Sequence, residues 1–440
     1  MITRPRSSTL VLMALLTVSA MLAGVAILLG RTADPAGKTI VTVRLWDEQV
    51  ATAYRESFTE FSREHPGIEV RTTLVSYATY FDTLRTDVAG GGADDIFWIN
   101  NSHFAEYADN GLLMAITAAP DWDPAVTGQF TRGGVLWGVP QLTDAGIALY
   151  YNSDLLAAAG VDSGALGEAR WDPDPSVDTL RPLLARLTVD VNGKSAAENG
   201  FDARRIRQWG YNAANDLQGI NLNFIGSAGG VFADGDRFAF DNPQTVTAFQ
   251  YVVNLINSDN VSPPASDTND NGDFSRNQFL SGRMAVFQSG TYNLAQIAGQ
   301  ARFRWGVAML PTGPAGRVSV TNGIVAAGNP NTDHPDAVRT VLDWLGSTAG
   351  NEFLGRRGAA IPAVRPAQRS YFDYWSARNV DVTPFFAVLN GPRIDAPGGA
   401  GFAAGYQAIK PFFDEMFLGR REVAPTLAAA QQAANTAAQR

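Results

Sequence analysis

Cysteine is absent from all 440 residues, histidine occurs only 3 times, and no block of basic residues interrupts the body of the chain. The first absence excludes disulfides, thiolate metal sites and cysteine nucleophiles, and it leaves the redox compartment open. The scarcity of histidine leaves few ligands for zinc. With 34 Lys plus Arg against 43 Asp plus Glu, the formal net charge is -9, so a phosphate backbone is not a partner. A phosphate loop, a nucleophile elbow and a metal-ligand cluster are also missing.

What is present describes an ordinary globular protein. The chain is 45% hydrophobic and 18% charged, with 43 Gly and 23 Pro, which allows an ample core and many loops. Its length predicts two lobes. Residues 1–30 stand apart: Arg4 and Arg6 precede "TLVLMALLTVSAMLAGVAILLG", an uncharged run of about 33 Å as a helix, enough to span a bilayer. The arginines predict a cytoplasmic N-terminus and an exported body. The span is read as an uncleaved anchor or as a signal peptide, and Arg31 disfavours cleavage before Ala33. Residues 31–39 would be a linker.

Along the body, "IVTVRLW" reads as a strand, Tyr54, Phe58 and Phe61 lie at helical spacing up to Pro66-Gly67, and "IEVRTTL" alternates as a second strand. Leu84 and Val88 mark a second helix before "GGG" at 90–92, and the apolar run Ile96, Phe97, Trp98, Ile99 has the character of a strand covered on both faces. Strand, helix, strand, helix, strand opens a doubly wound α/β lobe, whose ligands bind at the carboxyl ends of the strands. Further on, "AGIALYYN" reads as a strand with Ser153 capping the helix after it. Asn242 and Pro243 start a helix with Val246, Phe249, Val253 and Ile256 on one face. "RMAVFQSG" and "FRWGVAMLP" read as strands, and "HPDAVRTVLDWL" as a helix with Val338, Val341, Leu342 and Leu345 inward. Residues 160–240, rich in Pro, Gly, Asp and Asn, show no usable periodicity.

In order, "GGADDIFWINNSHFAEYADNGLLMAIT", "GVLWGVPQLTDAGIALYYNSDLLAAAGV", "LTVDVNGK", "FLSGRMAVFQSGTYN", "FRWGVAMLPTGP" with "TNGIVAAG", and "FLGRREVAPTLAAAQQA" resemble the extracellular solute-binding proteins of sugar ABC importers, typified by maltodextrin-binding protein. Each motif is weak alone; their order and spacing from about 40 to 435 are specific. The resemblance implies two doubly wound lobes of the type II periplasmic-binding-protein kind, joined by a hinge of several crossovers with the sugar between them. By that analogy residues 40–143 and 305–350 form one lobe and 144–304 with 351–435 the other.

Trp98 at its strand end is the first binding candidate, since a flat ring stacks on the apolar face of a pyranose; a place in the core is the alternative. Asn100 and Asn101 offer donors and acceptors to hydroxyls, or else a turn or cap. Trp46, Asp47 and Glu48 end the first strand in the same sense and face the same crevice, unless the acids are a surface pair. The resemblance adds Asp144, in "QLTDAG" where the family's chain crosses between lobes, and Tyr292, where many relatives carry a stacking aromatic, usually Trp. Tyr77, Asn223 and Asn322 complete the set. Arg356 and Arg357 read equally well as solvated helix-end charges.

"DTNDNGDFSRNQ", 267–278, has the spacing of an EF-hand calcium loop, but position twelve is Gln278, which cannot supply the bidentate carboxylate. His65 and His334 precede prolines as turn residues, and His103 adjoins the expected cleft without further ligands. Neither a metal nor a cofactor is expected. The resemblance implies a monomeric, extracytoplasmic carbohydrate receptor, held at the membrane by its N-terminal segment and serving the permease of an ABC importer. Acids around the cleft suggest an amino sugar over a phosphorylated one; a neutral oligosaccharide is the alternative. A secreted glycosidase is the competing class, though Asp47 and Glu48, as strand neighbours, point to opposite faces. The reading is staked on Trp98 bordering a solvent-filled crevice.

Overall fold

The computed structural model describes residues 37–143 and 145–439. The expected anchor or signal segment at 1–30, most of the linker and Asp144 lie outside the described residues. No described helix is long and apolar enough to cross a membrane.

Strand β1 (Thr39–Leu45) leads through helix α1 (Glu48–Glu64) to β2 (Ile68–Leu74), then through α2 (Tyr77–Gly90) to β3 (Ile96–Asn100) and α3 (Asn101–Asp109). All five residues of β3 are buried, as its continuous apolar run requires. Helix α2 stops where Gly91 takes φ 71, a left-handed conformation that glycine adopts without cost. After β4 (Val139–Leu142) the chain enters β5 (Ala148–Asn152), and much later α4 (Pro243–Asn257), β6 (Val286–Ser289), β7 (Trp305–Ala308) and β8 (Ser319–Thr321). It returns through β9 (Ile324–Gly328), α5 (Pro335–Leu345) and α6 (Thr348–Arg356), and ends with β10 (Arg393–Asp395) and helices α7 (Phe402–Phe417) and α8 (Val423–Ala438).

The first lobe is built on a five-stranded sheet in the order β2-β1-β3-β9-β4. Strand β1 is parallel to both β2 and β3, whereas β9 runs antiparallel between β3 and β4. Its core joins Val41, Val43, Phe97 and Trp98 to Val338, Leu342, Leu354 and Val364. In the second lobe β5 is flanked antiparallel by β6 and β7. Side chains alternate across that sheet: Ile147 and Leu149 enter one core while Ala148 and Tyr150 enter the other, so layers pack on both faces.

These memberships move the expected lobe boundaries. Residues 305–350 were assigned to the first lobe, yet β7 pairs with β5, and Ala308, Leu310 and Val320 belong to a second-lobe core. Conversely, Leu354, Ala359, Ala363, Val364 and Ala367, expected in the second lobe, complete the first. Apolar runs of similar length carry no label for the lobe they join. The chain therefore crosses at 143–147, at 321–324 and again between 367 and 371, where Tyr371 enters the second lobe. Just before the first crossing, Gln141 holds the returning first-lobe segments: its backbone oxygen accepts from Asn351 Nδ2 at 3.0 Å and from the Ala363 amide at 3.1 Å.

Local expectations fare as follows. Asn242 caps α4 through Thr245, with Pro243 at its first turn, and Phe249, Val253 and Ile256 are buried. Helix α5 buries Val338, Val341, Leu342 and Leu345. The cap of the helix at 153–158 is Asn152, which accepts from the Asp154 and Leu155 amides; Ser153 is its first residue.

Candidate ligand site between the lobes

Because β1, β2 and β3 are parallel, their carboxyl ends open on one edge, and the residues just beyond them gather there. Trp46 and Asp47 follow β1, Tyr77 begins α2, and Asn100 and Asn101 stand at the start of α3.

Trp98 is not at the surface of this edge. It is 0% exposed, and its Nε1 donates to the Tyr54 hydroxyl at 3.1 Å, which in turn donates to Gln141 Oε1. The expectation that its face meets a sugar is overturned: β1 and β9 pair with β3 along its two edges, and the rings of Tyr54 from α1 and of Trp46 pack against Trp98, so the strand is covered. The half-buried ring is Trp46, set edge-on to Trp98, Tyr80 and Tyr77 at centroid distances of 5.0, 4.8 and 5.5 Å. Tyr77 is 52% exposed. The open aromatic surface thus lies one ring outward from Trp98.

Several polar candidates serve the backbone. Asn100 is buried and caps α3, its Oδ1 accepting from the His103 amide at 3.2 Å and from His103 Nδ1 at 2.9 Å. The cap alternative applies to it, although its Nδ2 also lies 3.5 Å from the Tyr77 hydroxyl. Asn223 is buried in the second lobe, donating to Gln218 and Gly219 oxygens and accepting from the Val320 amide, so it is a structural brace rather than a binding group. Asp47 Oδ1 accepts from the Gln49 and Val50 amides and caps α1. Surrounding protein raises the Asp47 carboxyl above its ordinary value, these cap bonds opposing, with a smaller push from the neighbouring Glu48 charge. Glu48 is exposed in the first helical turn.

Asn101 joins the lobes instead, its Nδ2 donating to the Ala396 carbonyl at 3.1 Å while its buried Oδ1 has no partner among the described residues. Asn322 sits at a crossing, 7% exposed, and its Oδ1 likewise has none among the described residues. Tyr292 is 45% exposed at the end of β6. Asp144 lies outside the described residues.

The structure adds groups from the second lobe that the sequence did not single out. Asp216 is exposed, and its Oδ1 accepts from the Gly219 amide at 2.9 Å at the head of a turn over 217–221. Surrounding protein raises its carboxyl above the ordinary range and likewise raises the phenols of Tyr77 in the first lobe and Tyr406 in α7, to which the Asp216 charge adds a smaller push in the same direction. The Asp216 charge therefore acts on a phenol from each lobe. A path of rings links the two phenols: Tyr406 stacks on Phe402 at 5.6 Å, Phe402 meets His103 at 6.3 Å, His103 stacks on Phe81 at 3.6 Å, and Phe81 meets Tyr77 at 6.1 Å. Burial between those rings, helped by the Arg85 charge, pushes His103 down to about 3. Among the described residues neither Asp47 nor Asp216 forms a salt bridge. Asp216 lay in the aperiodic 160–240 stretch; the turn motif "NDLQG" was its only local mark.

Among the described residues no group of His, Asp and Glu could hold a metal. In the calcium-like stretch, Gln278 Oε1 accepts from Arg283 Nε at 2.9 Å, and Asp273 pairs with Arg276.

A model of the family described as "Bacterial extracellular solute-binding protein" matches residues 46–352. The crystal structure of M. tuberculosis UspC is 71% identical, covering 90% of this chain and 100% of that one, with a TM-score of 0.74. An ABC substrate-binding protein of Listeria monocytogenes, solved with cycloalternan, is 18% identical over 91% of this chain and 98% of its own, with a TM-score of 0.77. Maltose-bound MalE3 of T. maritima is 21% identical over 90% and 99%, with a TM-score of 0.73. These last two share the fold.

Proposed function

The chain belongs to the bacterial extracellular solute-binding proteins, and from that premise we propose that it captures a carbohydrate between its lobes and delivers it to the permease of an ABC importer. The observation that carries this reading is the pairing of open aromatic rings, Trp46 and Tyr77, on one lobe with the uncompensated carboxylate of Asp216 on the other. Rings take the apolar face of a pyranose, worth roughly 0.5–1.5 kcal/mol beyond area, while carboxylates accept from its hydroxyls. Relatives of the same fold are solved with cycloalternan and with maltose, which supports the same ligand class. A ligand that touches both lobes stabilises the closed form by its differential contacts. The N-terminal segment tethers the monomeric receptor to the outer face of the cytoplasmic membrane.

A thermal-shift screen of disaccharides tests the reading, since ligand at a hundred times its dissociation constant adds about 2.7 kcal/mol. A screen without any stabilising sugar would sink it. Within that class, acids without cations nearby favour an amino sugar over a neutral one. Calorimetry with glucosamine-type and glucose-type disaccharides separates the two, and the amine preference should fade in Asp47→Asn, Glu48→Gln and Asp144→Asn. The protein turns nothing over in this reading, so release of nitrophenol from chromogenic glycosides would instead favour a glycosidase.

A further inference from the structure

Strands β1 and β3 run side by side for only two residue pairs, Val43 with Ile96 and Arg44 with Phe97, and their ladder ends there. Each continues on its outer side: β1 stays in register with β2 as far as Leu45 and Leu74, and β3 with β9 as far as Asn100 and Ile324. The sheet is therefore split along one seam, at the edge where the candidate site lies. Tyr80 of α2 closes that seam. It is fully buried, and its hydroxyl donates to Arg44 O at 3.1 Å and to Trp98 O at 3.0 Å, a three-centre bond from the last paired residue of β1 to the first unpaired residue of β3. The same ring meets Trp46 edge to face at 4.8 Å and Phe81 at 5.1 Å. Trp46 lies two residues beyond Arg44, and Asn100 two beyond Trp98, so one side chain governs where both strands enter the site. Phenylalanine would fill the same core space; the hydroxyl adds a tie between strands that core packing alone does not supply.

We infer that Tyr80 is a positioning residue: too buried to touch a ligand, it pins the carboxyl ends of β1 and β3 and so holds Trp46 in the orientation that offers its ring to a bound carbohydrate. This rests on the carbohydrate reading above. Trp46 packs against Tyr77, Tyr80 and Phe81 of α2 and against Trp98 of β3, so the ring stays upright only while α2, β1 and β3 keep their spacing. Without the hydroxyl the two carbonyl oxygens lose their common donor and the strand ends can part. A binding group must be held to within about 0.5 Å of its productive place by such supports.

Tyr80→Phe tests this in the full chain, with Ser57→Ala beside it. Ser57 is buried, donates to Gly350 O at 2.9 Å and accepts from Trp344 Nε1 at 2.9 Å, so its loss removes buried hydrogen bonds of the same lobe among α1, α5 and α6. Both variants should lower the urea midpoint. Protein labelled with 5-fluorotryptophan gives a fluorine resonance for Trp46, identified by its absence in Trp46→Phe. That resonance should broaden or split in ligand-free Tyr80→Phe and stay as in the parent in Ser57→Ala. Calorimetry with maltose, cellobiose and the chitosan disaccharide should show about tenfold weaker binding in Tyr80→Phe for whichever of these the parent binds, and parent-like binding in Ser57→Ala. An unchanged Trp46 resonance in Tyr80→Phe would overturn the inference, and so would parent-like affinity or an equal loss of affinity in Ser57→Ala. A parent that binds none of the sugars would remove the carbohydrate reading, and the fluorine resonance would still decide whether Tyr80 holds Trp46.

Discussion

Trp46 meets the edge of Trp98 at 5.0 Å between ring centres with their planes crossed at 80°, so a ring that never sees water holds upright one that does. The buried member supplies packing and the outer member supplies surface.

Their substitutions should therefore separate. Trp98→Ala removes a fully buried ring and the bond it donates to the Tyr54 hydroxyl, at a cost of about 3–5 kcal/mol. It should shift the urea midpoint strongly. Trp46→Ala should cost less stability and abolish most of the melting-temperature gain that a bound disaccharide confers.

Acid stability should carry the mark of His103. The ring is neutral when folded, with its pKa pushed down to about 3, while in the unfolded chain it takes up a proton near 6.5. Below about pH 6.5 the unfolded state binds the extra proton, so stability falls as pH drops toward 3, by up to about 1.4 kcal/mol per unit. Above that range the contribution is flat. His103→Gln should flatten the slope in urea melts taken between pH 4 and 7, and an unchanged slope would remove His103 as its source.

Asp216 should set the pH dependence of binding with the opposite consequence for folding. Its raised carboxyl must be ionised to accept from the ligand. Affinity should decline on acidification at a higher pH than an ordinary carboxylate would dictate. The same protonation relieves a crowded charge, so ligand-free Asp216→Asn should melt at or above the parent temperature. Isothermal titrations across pH 4–7 read the binding effect and thermal melts of the ligand-free protein read the folding one, parent against variant.

Gly398 lies so close to the start of α3 that an added Cβ would stand 2.6 Å from the Asn101 carbonyl oxygen. Gly398→Ala should push the Ala396 loop off Asn101, lose the 3.1 Å bond between them and weaken ligand binding mainly through faster dissociation. Each lobe keeps its own core, so the urea midpoint should change little. Stopped-flow release of a bound disaccharide distinguishes the two effects.

Much of this architecture was readable before any coordinates, and the reasons are local. The β1-α1-β2-α2-β3 order follows from periodicity and from punctuation at Pro66-Gly67 and Gly90–Gly92, and the caps at Asn242 and Pro243 follow from backbone chemistry. The site was legible as an edge but not as side chains. Asn100 and Asn223 have the composition of sugar ligands, yet their amides are consumed by backbone bonds that only the tertiary arrangement creates. Trp98 illustrates the limit of strand parity: in a strand covered on both faces, alternation no longer tells inside from outside. Asp216 was invisible because the phenols its charge acts on, Tyr77 in the first lobe and Tyr406 in its own, are far away in sequence.

The order β2-β1-β3-β9-β4 has a consequence for biogenesis. Strand β4, finished at residue 142, touches the sheet only through β9, which begins at residue 324. A nascent or translocating chain must therefore carry an unpaired β3 edge until roughly three quarters of its length has emerged, and during that interval the edge is a template for association with other chains. Truncations ending before 320 should be insoluble, whereas those that remove only the terminal helix leave the first sheet whole.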